Sequence, residues 1–425
     1  MRIFHILAIL FTFLYVRGTI ERFGVPDLVI KYLTELPIVF LVLFTLKRRD
    51  WQLAPGWIFV ALFVVWSVIS GILSGDGVYQ SLLYFRMLVY AYIVFWAVWN
   101  ADLIGVEVLQ LNKLILLLWV LQIAAALFQI TIAGERVEAY VGTLTSDSGH
   151  PATAFPLFAM SYVMAFYCYQ KRSPWLLLLA LAFSIVGFAS GKRAIYFLIP
   201  LVYSIIILWY CFREKTFASL IRMFAPLLLL VLVLPLLTLG LTHSKKFEYL
   251  QGRDTIEIIN EATDLSYSYN YGERAGQTTG RISSSLNVIQ SLSNSETRMF
   301  YFGSGPASLT DVTEKQAQWF YRIEYGIVGW SKDIISVGFP GMIFFISFYI
   351  LLWHRLSRCR TEILNDYVKA LHFGTHLAFF VFFLMYFFYC NAFVLAGWFT
   401  YVHLYFLALV LSPRHQFIFK QASVQ

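Results

Sequence analysis

An all-α integral membrane protein is the fold class this sequence predicts, and three observations carry the prediction. Hydrophobic residues make up 59% of the 425 residues and charged residues 13%, about half the charged share of an average soluble domain. Mean hydropathy is +0.69. Apolar runs approaching the ~20 residues needed to cross a bilayer recur along the whole chain. They begin near Ile3, Leu28, Trp57, Leu82, Leu114, Ala152, Trp175, Ala194, Ile221, Ile334, Leu371 and Ala392. The expected architecture is therefore about twelve transmembrane helices, with one large extracytoplasmic loop between the ninth and the tenth.

The first run, Ile3 to Val16, follows a basic residue but precedes no small-residue cleavage site, so it reads as a span and not as a cleaved signal peptide. Orientation follows from the short linkers. With the N-terminus inside, the inner segments hold Arg2, Lys47, Arg48, Arg49, Lys113, Lys171, Arg172, Arg213, Lys215, Arg222, Arg355, Arg358, Arg360, Lys369, Arg414 and Lys420. The short outer loops hold only Arg17, Arg22, Arg136, Lys192 and Arg193. That asymmetry places both termini in the cytoplasm. Residues 1–241 are expected to form a first bundle, 242–333 an outward loop, and 334–425 the last spans and a cytoplasmic tail. Within the loop, Gly252 to Arg298 is rich in Tyr, Ser, Thr, Asn and Gln. Arg281 to Leu292 reads as an amphipathic helix with Ile282, Leu286, Ile289 and Leu292 on one side. Gly303, Gly305 and Pro306 form a turn cluster. No internal repeat is evident.

Several chemistries find no footing. The four cysteines, Cys168, Cys211, Cys359 and Cys390, fall in predicted spans or on the inner side, which gives neither a disulfide framework nor metal-ligand spacing. The net charge of +8 reflects topology, so no nucleic-acid partner is expected. His372 and His376 share a helical face without a third ligand, which favours packing over metal binding. Nucleotide-binding and hydrolase motifs are missing, and no cofactor is expected.

Charge is placed where it is expensive. Ser190-Gly191-Lys192-Arg193-Ala194 puts two cations in a short outer loop, against the orientation rule. They either snorkel to lipid phosphates or bind an anionic ligand that bears phosphate. Arg86 lies inside the fourth span, where it needs an acidic neighbour, a cavity, or a phosphate matching its planar fork. Gly280-Arg281-Ile282 is followed by Phe302-Gly303-Ser304-Gly305-Pro306 and then Glu324-Tyr325-Gly326.

The order of these pieces resembles the O-antigen ligase and O-antigen polymerase superfamily of bacterial envelope glycosyltransferases. A small-Gly-basic-Arg turn opens a helix at Arg193. Two spans later a long outer loop carries Arg281 ahead of an amphipathic helix, then the Tyr301-Phe302-Gly303-Ser304-Gly305 turn. Asp333-Ile334-Ile335-Ser336-Val337-Gly338-Phe339-Pro340-Gly341 is similar to the family's return into the membrane. Specific letters match only between about Ser190 and Gly341. The resemblance implies a glycosyltransferase-C-like helical membrane fold in the bacterial inner membrane. It implies undecaprenyl-diphosphate-linked glycans as donor and acceptor on the outer face, with Arg193 and Arg281 gripping the diphosphate and a chain-length regulator as an optional partner. Ligases of this family typically place a His ahead of the returning helix, whereas this chain reads Tyr325 to Asp333 without one, which favours the polymerase branch of polysaccharide biosynthesis.

Such a donor already carries its leaving group, so the enzyme's work is to neutralise the departing diphosphate with fixed cations. Arg193 and Arg281 are the expected catalytic cations, with Arg86 and Lys192 as further diphosphate contacts. Glu324 and Asp333, with Glu273 and Asp147, are the outward-side acid–base candidates. Gly303 and Gly305 shape the site, and Tyr271 and Trp319 are candidates to stack on sugar, with interfacial anchoring as the alternative. Competing expectations are a ligase transferring finished glycan to lipid A core, and a lipid-glycan flippase.

Overall fold

The computed structural model describes residues 2–132, 142–144, 150–169, 173–189, 193–214, 268–269, 277–278, 281–294, 297–307, 328–359, 365–388 and 397–415. Among the described residues the chain is helical, apart from one two-residue antiparallel pair, β1 (Ser268–Tyr269) with β2 (Gln277–Thr278). The helices are α1 (Ile3–Arg22), α2 (Asp27–Leu46), α3 (Trp57–Ser74), α4 (Gly77–Asn100), α5 (Gly105–Thr131), α6 (His150–Tyr169), α7 (Pro174–Ala189) and α8 (Arg193–Glu214). They continue with α9 (Arg281–Ser293), α10 (Thr297–Phe302), α11 (Gly329–Ser357), α12 (Asp366–Phe388) and α13 (Gly397–Leu411).

Seven of these, α1 to α5 with α11 and α12, are long and apolar enough to cross a membrane, while α6, α7, α8 and α13 supply shorter apolar helices. The chain is thus a multi-pass helical membrane protein. Every predicted apolar run coincides with a described helix except the one near Ile221, which lies outside the described residues. The helices begin earlier than hydropathy alone places them: α4 at Gly77, α5 at Gly105 and α12 at Asp366. Polar first turns are cheap, because the first four N–H groups of a helix want polar company. The largest such shift in consequence is at α11, which starts at Gly329 and takes in Asp333, a residue the sequence places in the loop.

α12 and α13 form the centre. Trp398 to Val410 of α13 is buried without interruption, packed against α4, α12 and α1. Aromatic rings fill that centre: Phe158 and Tyr162 of α6 meet Phe399 and Phe406 of α13 at 4.0 and 4.5 Å between centroids. Helices α2 and α3 form part of the perimeter, exposing Leu36, Val39, Leu43, Val65 and Ile72, as a lipid-facing surface should.

Contacts fix which helix ends lie together. Ser70, late in α3, meets Ser336, early in α11. Trp330, at the start of α11, donates to the carbonyl of Phe387 at the end of α12 (3.2 Å). Phe166, late in α6, packs on Tyr367 at the start of α12, and Tyr210, late in α8, donates to the Cys168 carbonyl late in α6 (3.1 Å). The ends of α3 and α12 and the starts of α6, α8 and α11 therefore share one end of the bundle, and the 303–307 turn lies at that same end.

Candidate functional site

The centre of that end is a broken helix. Gly338 adopts φ 72°, ψ 178° inside α11, and Pro340 follows two residues later. A proline has no N–H to give to the carbonyl four residues back, and the non-helical Gly338 disrupts neighbouring bonds. Carbonyls freed inside an apolar bundle must be paired elsewhere. Three consecutive ones find donors from other elements. The Ile335 carbonyl accepts from the Ser304 N–H at 2.7 Å. The Ser336 carbonyl accepts from the Ser70 hydroxyl at 3.1 Å. The Val337 carbonyl accepts from the Trp66 indole N–H at 3.0 Å.

Trp66 and Ser70 are four residues apart on α3, hence on one face, and each shares its single hydrogen with a second carbonyl at the end of α10. Trp66 reaches Tyr301 at 3.2 Å and Ser70 reaches Phe302. The Trp66 and Phe302 rings stack at 4.8 Å. Turn, break and α3 are thus one hydrogen-bonded unit. Gly303 (φ 72°) and Gly305 (φ 109°) shape the turn. A side chain at Gly303 would put its Cβ 2.5 Å from the Ile335 oxygen, and one at Gly305 would strike Asp76 and Ser74. The turn continues into the Ala307 N–H, which donates to the Asp76 carboxylate at 2.7 Å.

Asp333 lies five residues before the break and is fully buried. Its two oxygens each accept a phenol: Tyr84 of α4 at 2.6 Å and Tyr386 of α12 at 2.5 Å. A buried carboxylate is tolerated only when its oxygens are satisfied, and these two bonds tie the first half of α11 to α4 and α12. Asp333 thus holds the first half of α11 against its two neighbours.

Arg281 opens α9. One turn on, Ser285 receives a hydrogen bond from Ser331 of α11 at 3.0 Å, and Val288 and Leu292 pack into a cluster with Ile334, Ile335 and Met342. The start of α9 is thereby fixed beside the broken helix. Arg193 opens α8 at the same end of the bundle, on the side formed by α6, α7 and α12. The side chains of Arg193 and Arg281 lie outside the described residues, as do Lys192, Glu324, Tyr271 and Trp319 entirely. Glu273 and Asp147 fall there too.

Arg86 does not join this set. It is two residues, or about 200° of helix, from Tyr84, so it faces away from α11. Its guanidinium meets Glu35 of α2 at 3.3 Å, each side chain about one-third exposed. That is the acidic neighbour the sequence allowed as the alternative to a phosphate. His372 and His376 make helix-packing contacts, His372 with the Leu356 carbonyl and His376 accepting from the Trp353 indole. Among the described residues no three His, Cys, Asp or Glu side chains group as metal ligands.

Sequence reasoning missed Trp66, Ser70, Tyr84 and Tyr386. Each is a polar group on an otherwise apolar span, which is a faint signal, and their partners lie 53 to 271 residues away. No protein-family model matches the chain, and no curated protein matches it.

Proposed function

We propose that the protein is a lipid-diphosphate-sugar-dependent glycosyltransferase, a polymerase joining undecaprenyl-diphosphate-linked repeat units into a surface polysaccharide on the outer face of the bacterial inner membrane. The reading takes twelve spans, both termini cytoplasmic, and 242–328 outside. One observation carries it beyond the resemblance. The two helices opened by Arg193 and Arg281 start at the end of the bundle held by the 303–307 turn, and the second is pinned to the broken helix.

In this reading an acceptor hydroxyl attacks the anomeric carbon of the donor. The new glycosidic C–O bond forms as the bond to the diphosphate oxygen breaks, and undecaprenyl diphosphate leaves with the bonding pair. Arg193, Arg281 and Lys192 neutralise the charge that grows on it; preorganised cations in a water-poor cleft do this at little reorganisation cost. Glu324 takes the hydroxyl proton, while Asp333 accepts hydrogen bonds from Tyr84 and Tyr386. Gly303 and Gly305 set the floor, and Tyr271 and Trp319 face sugar. Arg86 is left out, since its partner is Glu35.

Arg193→Ala and Arg281→Ala are each expected to abolish long-chain polysaccharide, with the protein still present in the membrane fraction. Arg→Lys at either position should rescue poorly, because an ammonium cannot make the bidentate contact. Normal chain length in both alanine variants overturns the reading. A deletion strain separates the rivals on a gel. Single repeat units on the acceptor mean a lost polymerase, accumulated long lipid-linked chains a lost ligase, and precursor trapped on the cytoplasmic leaflet a lost flippase.

A further inference from the structure

Helix α9 has two apolar surfaces, one buried and one partly exposed. Ser285, Val288 and Leu292 are buried against α11. Leu286 and Ile289, which periodicity places on one side with Leu292, are 58% and 40% exposed. They lie on one flank of the buried stripe, at 100° per residue, while Asn287, Gln290 and Asn294 occupy the far side. In water such a pair would waste apolar burial. The helix, however, is not docked on a water-facing element. The cluster that holds α9 and α10 includes Trp330, Ile334, Phe339, Met342 and Ile346, residues of a helix apolar enough to cross a membrane. That helix exposes Ile343 and Ile350 beside the same stretch. α9 thus exposes apolar side chains while docked on a helix that itself exposes apolar side chains. α10 adds Tyr301, 46% exposed, and the exposed Arg298, the aromatic and basic pair that suits a membrane interface.

We propose that α9 and α10 lie in the membrane interface at the 303–307 end, with Leu286 and Ile289 in the acyl boundary, Tyr301 at headgroup level and Arg298 on lipid phosphate. The partner is the bilayer itself. An amphipathic helix of this kind sits some 5–10 Å into the headgroup boundary. The placement does not depend on the proposed chemistry. It would hold Arg281, the first residue of α9, at the depth where a lipid-linked phosphate travels.

The test uses the full chain in liposomes of phosphatidylethanolamine and phosphatidylglycerol. In a background with the native cysteines replaced, nitroxide labels are placed by Leu286→Cys, Ile289→Cys, Gln290→Cys and Asn294→Cys. The ratio of oxygen to nickel-chelate accessibility is expected to be at least about twofold higher at 286 and 289 than at 290 and 294. Equal ratios at all four overturn the proposal. A second arm needs no substitution. Lipids carrying a diazirine on the acyl chain are photolysed with the unaltered protein, and the tryptic peptide 282–298 is expected to carry label. A peptide without label, when peptides from α3 are labelled, also overturns it. Failure of the polysaccharide tests with success here would discard the transferase reading and keep the interfacial helix.

Discussion

The two ends of the bundle are fastened by different physics. At the end that holds the 303–307 turn, the fastening is backbone: carbonyls 335 to 337 are each met by one donor from α3 or the turn, and left-handed glycines let two chains approach within a Cβ radius. At the other end, exposed charge joins neutral hydrogen bonds such as Ser412 to the Trp99 carbonyl at 2.9 Å. Arg414, beyond α13, meets Asp50 at 2.8 Å and Asp102 at 3.3 Å, and donates to the Asp50 backbone carbonyl. Arg48 also pairs with Asp102. Those carboxylates are more than half exposed. Charge clusters of this sort are redundant and screened by salt, whereas a buried backbone lock has one solution and fails when any part changes. The rigid, intolerant end is the one the proposed chemistry uses, as preorganisation requires.

The largest effect is expected at Gly338. Alanine there must hold φ near +72° and would drive its Cβ into the Tyr301 carbonyl. Gly338→Ala should cost about 3 kcal/mol or more, summing backbone strain with a steric clash. Gly24 is the control that sharpens the point: its φ is +76°, yet nothing lies within 4 Å of an added Cβ. Gly24→Ala should cost only about 1 kcal/mol, the left-handed penalty alone. Thermal unfolding of both variants in detergent decides the matter. Similar midpoints would mean that conformational strain, and not the lock between turn and broken helix, sets the cost.

Next comes Asp333. Asp333→Ala removes the acceptor of two buried phenols and should cost about 2–4 kcal/mol by the same assay. Tyr84→Phe or Tyr386→Phe removes one donor and leaves the carboxylate one short, for about 1–3 kcal/mol each. If Asp333→Ala unfolds no earlier than either phenylalanine variant, Asp333 is not the tie between α11, α4 and α12.

What could be foreseen from residues alone follows the same division. Hydropathy located the seven long apolar helices because each is a local property of about twenty residues. The loop-to-helix boundary at α11 was missed because Asp333 looks like loop, and the two tyrosines that make it tolerable lie 249 and 53 residues away. Periodicity found the amphipathic α9 and its apolar side, but an apolar arc does not say which part of it is buried: Leu292 is, Leu286 and Ile289 are not. The Gly303–Gly305 turn was legible as a turn. That its purpose is to cap a broken helix was not, because the break and its donors come from three separate segments.

At the charged end the expected effects are small. Arg414→Gln should change stability by about 1 kcal/mol or less, with the difference shrinking as salt is added. A loss as large as that of Asp333→Ala would erase the contrast between the ends.

The smallest effect is one of pH, and it belongs to His415, just beyond α13. The imidazole is fully buried. Its Nε2–H donates to the Val98 carbonyl at 2.9 Å, and Nδ1 has no hydrogen-bond partner among the described residues, so the neutral tautomer fits the site. Burial, chiefly, pushes the folded-state pKa below its ordinary 6.5, with Arg414 acting the same way and Val98 and Asp102 opposing. A folded pKa below the unfolded one means that the unfolded chain binds the proton more readily. The stabilisation is therefore fully present above about pH 6.5 and is lost progressively as pH falls below it. Asp50, whose carboxyl is held below its usual range beside Arg414 and Arg48, loses its contribution only in a lower window, beneath its ordinary 3.8. Between pH 7 and 5, then, the unfolding midpoint should decline in the unaltered chain and decline less in His415→Gln. Hydrogen exchange at pH 5.5 should show the amides of Ser412, Arg414 and His415 opening while those of 301–305 stay protected. Equal exchange at both segments would mean that the two ends unfold as one unit, whatever holds each of them.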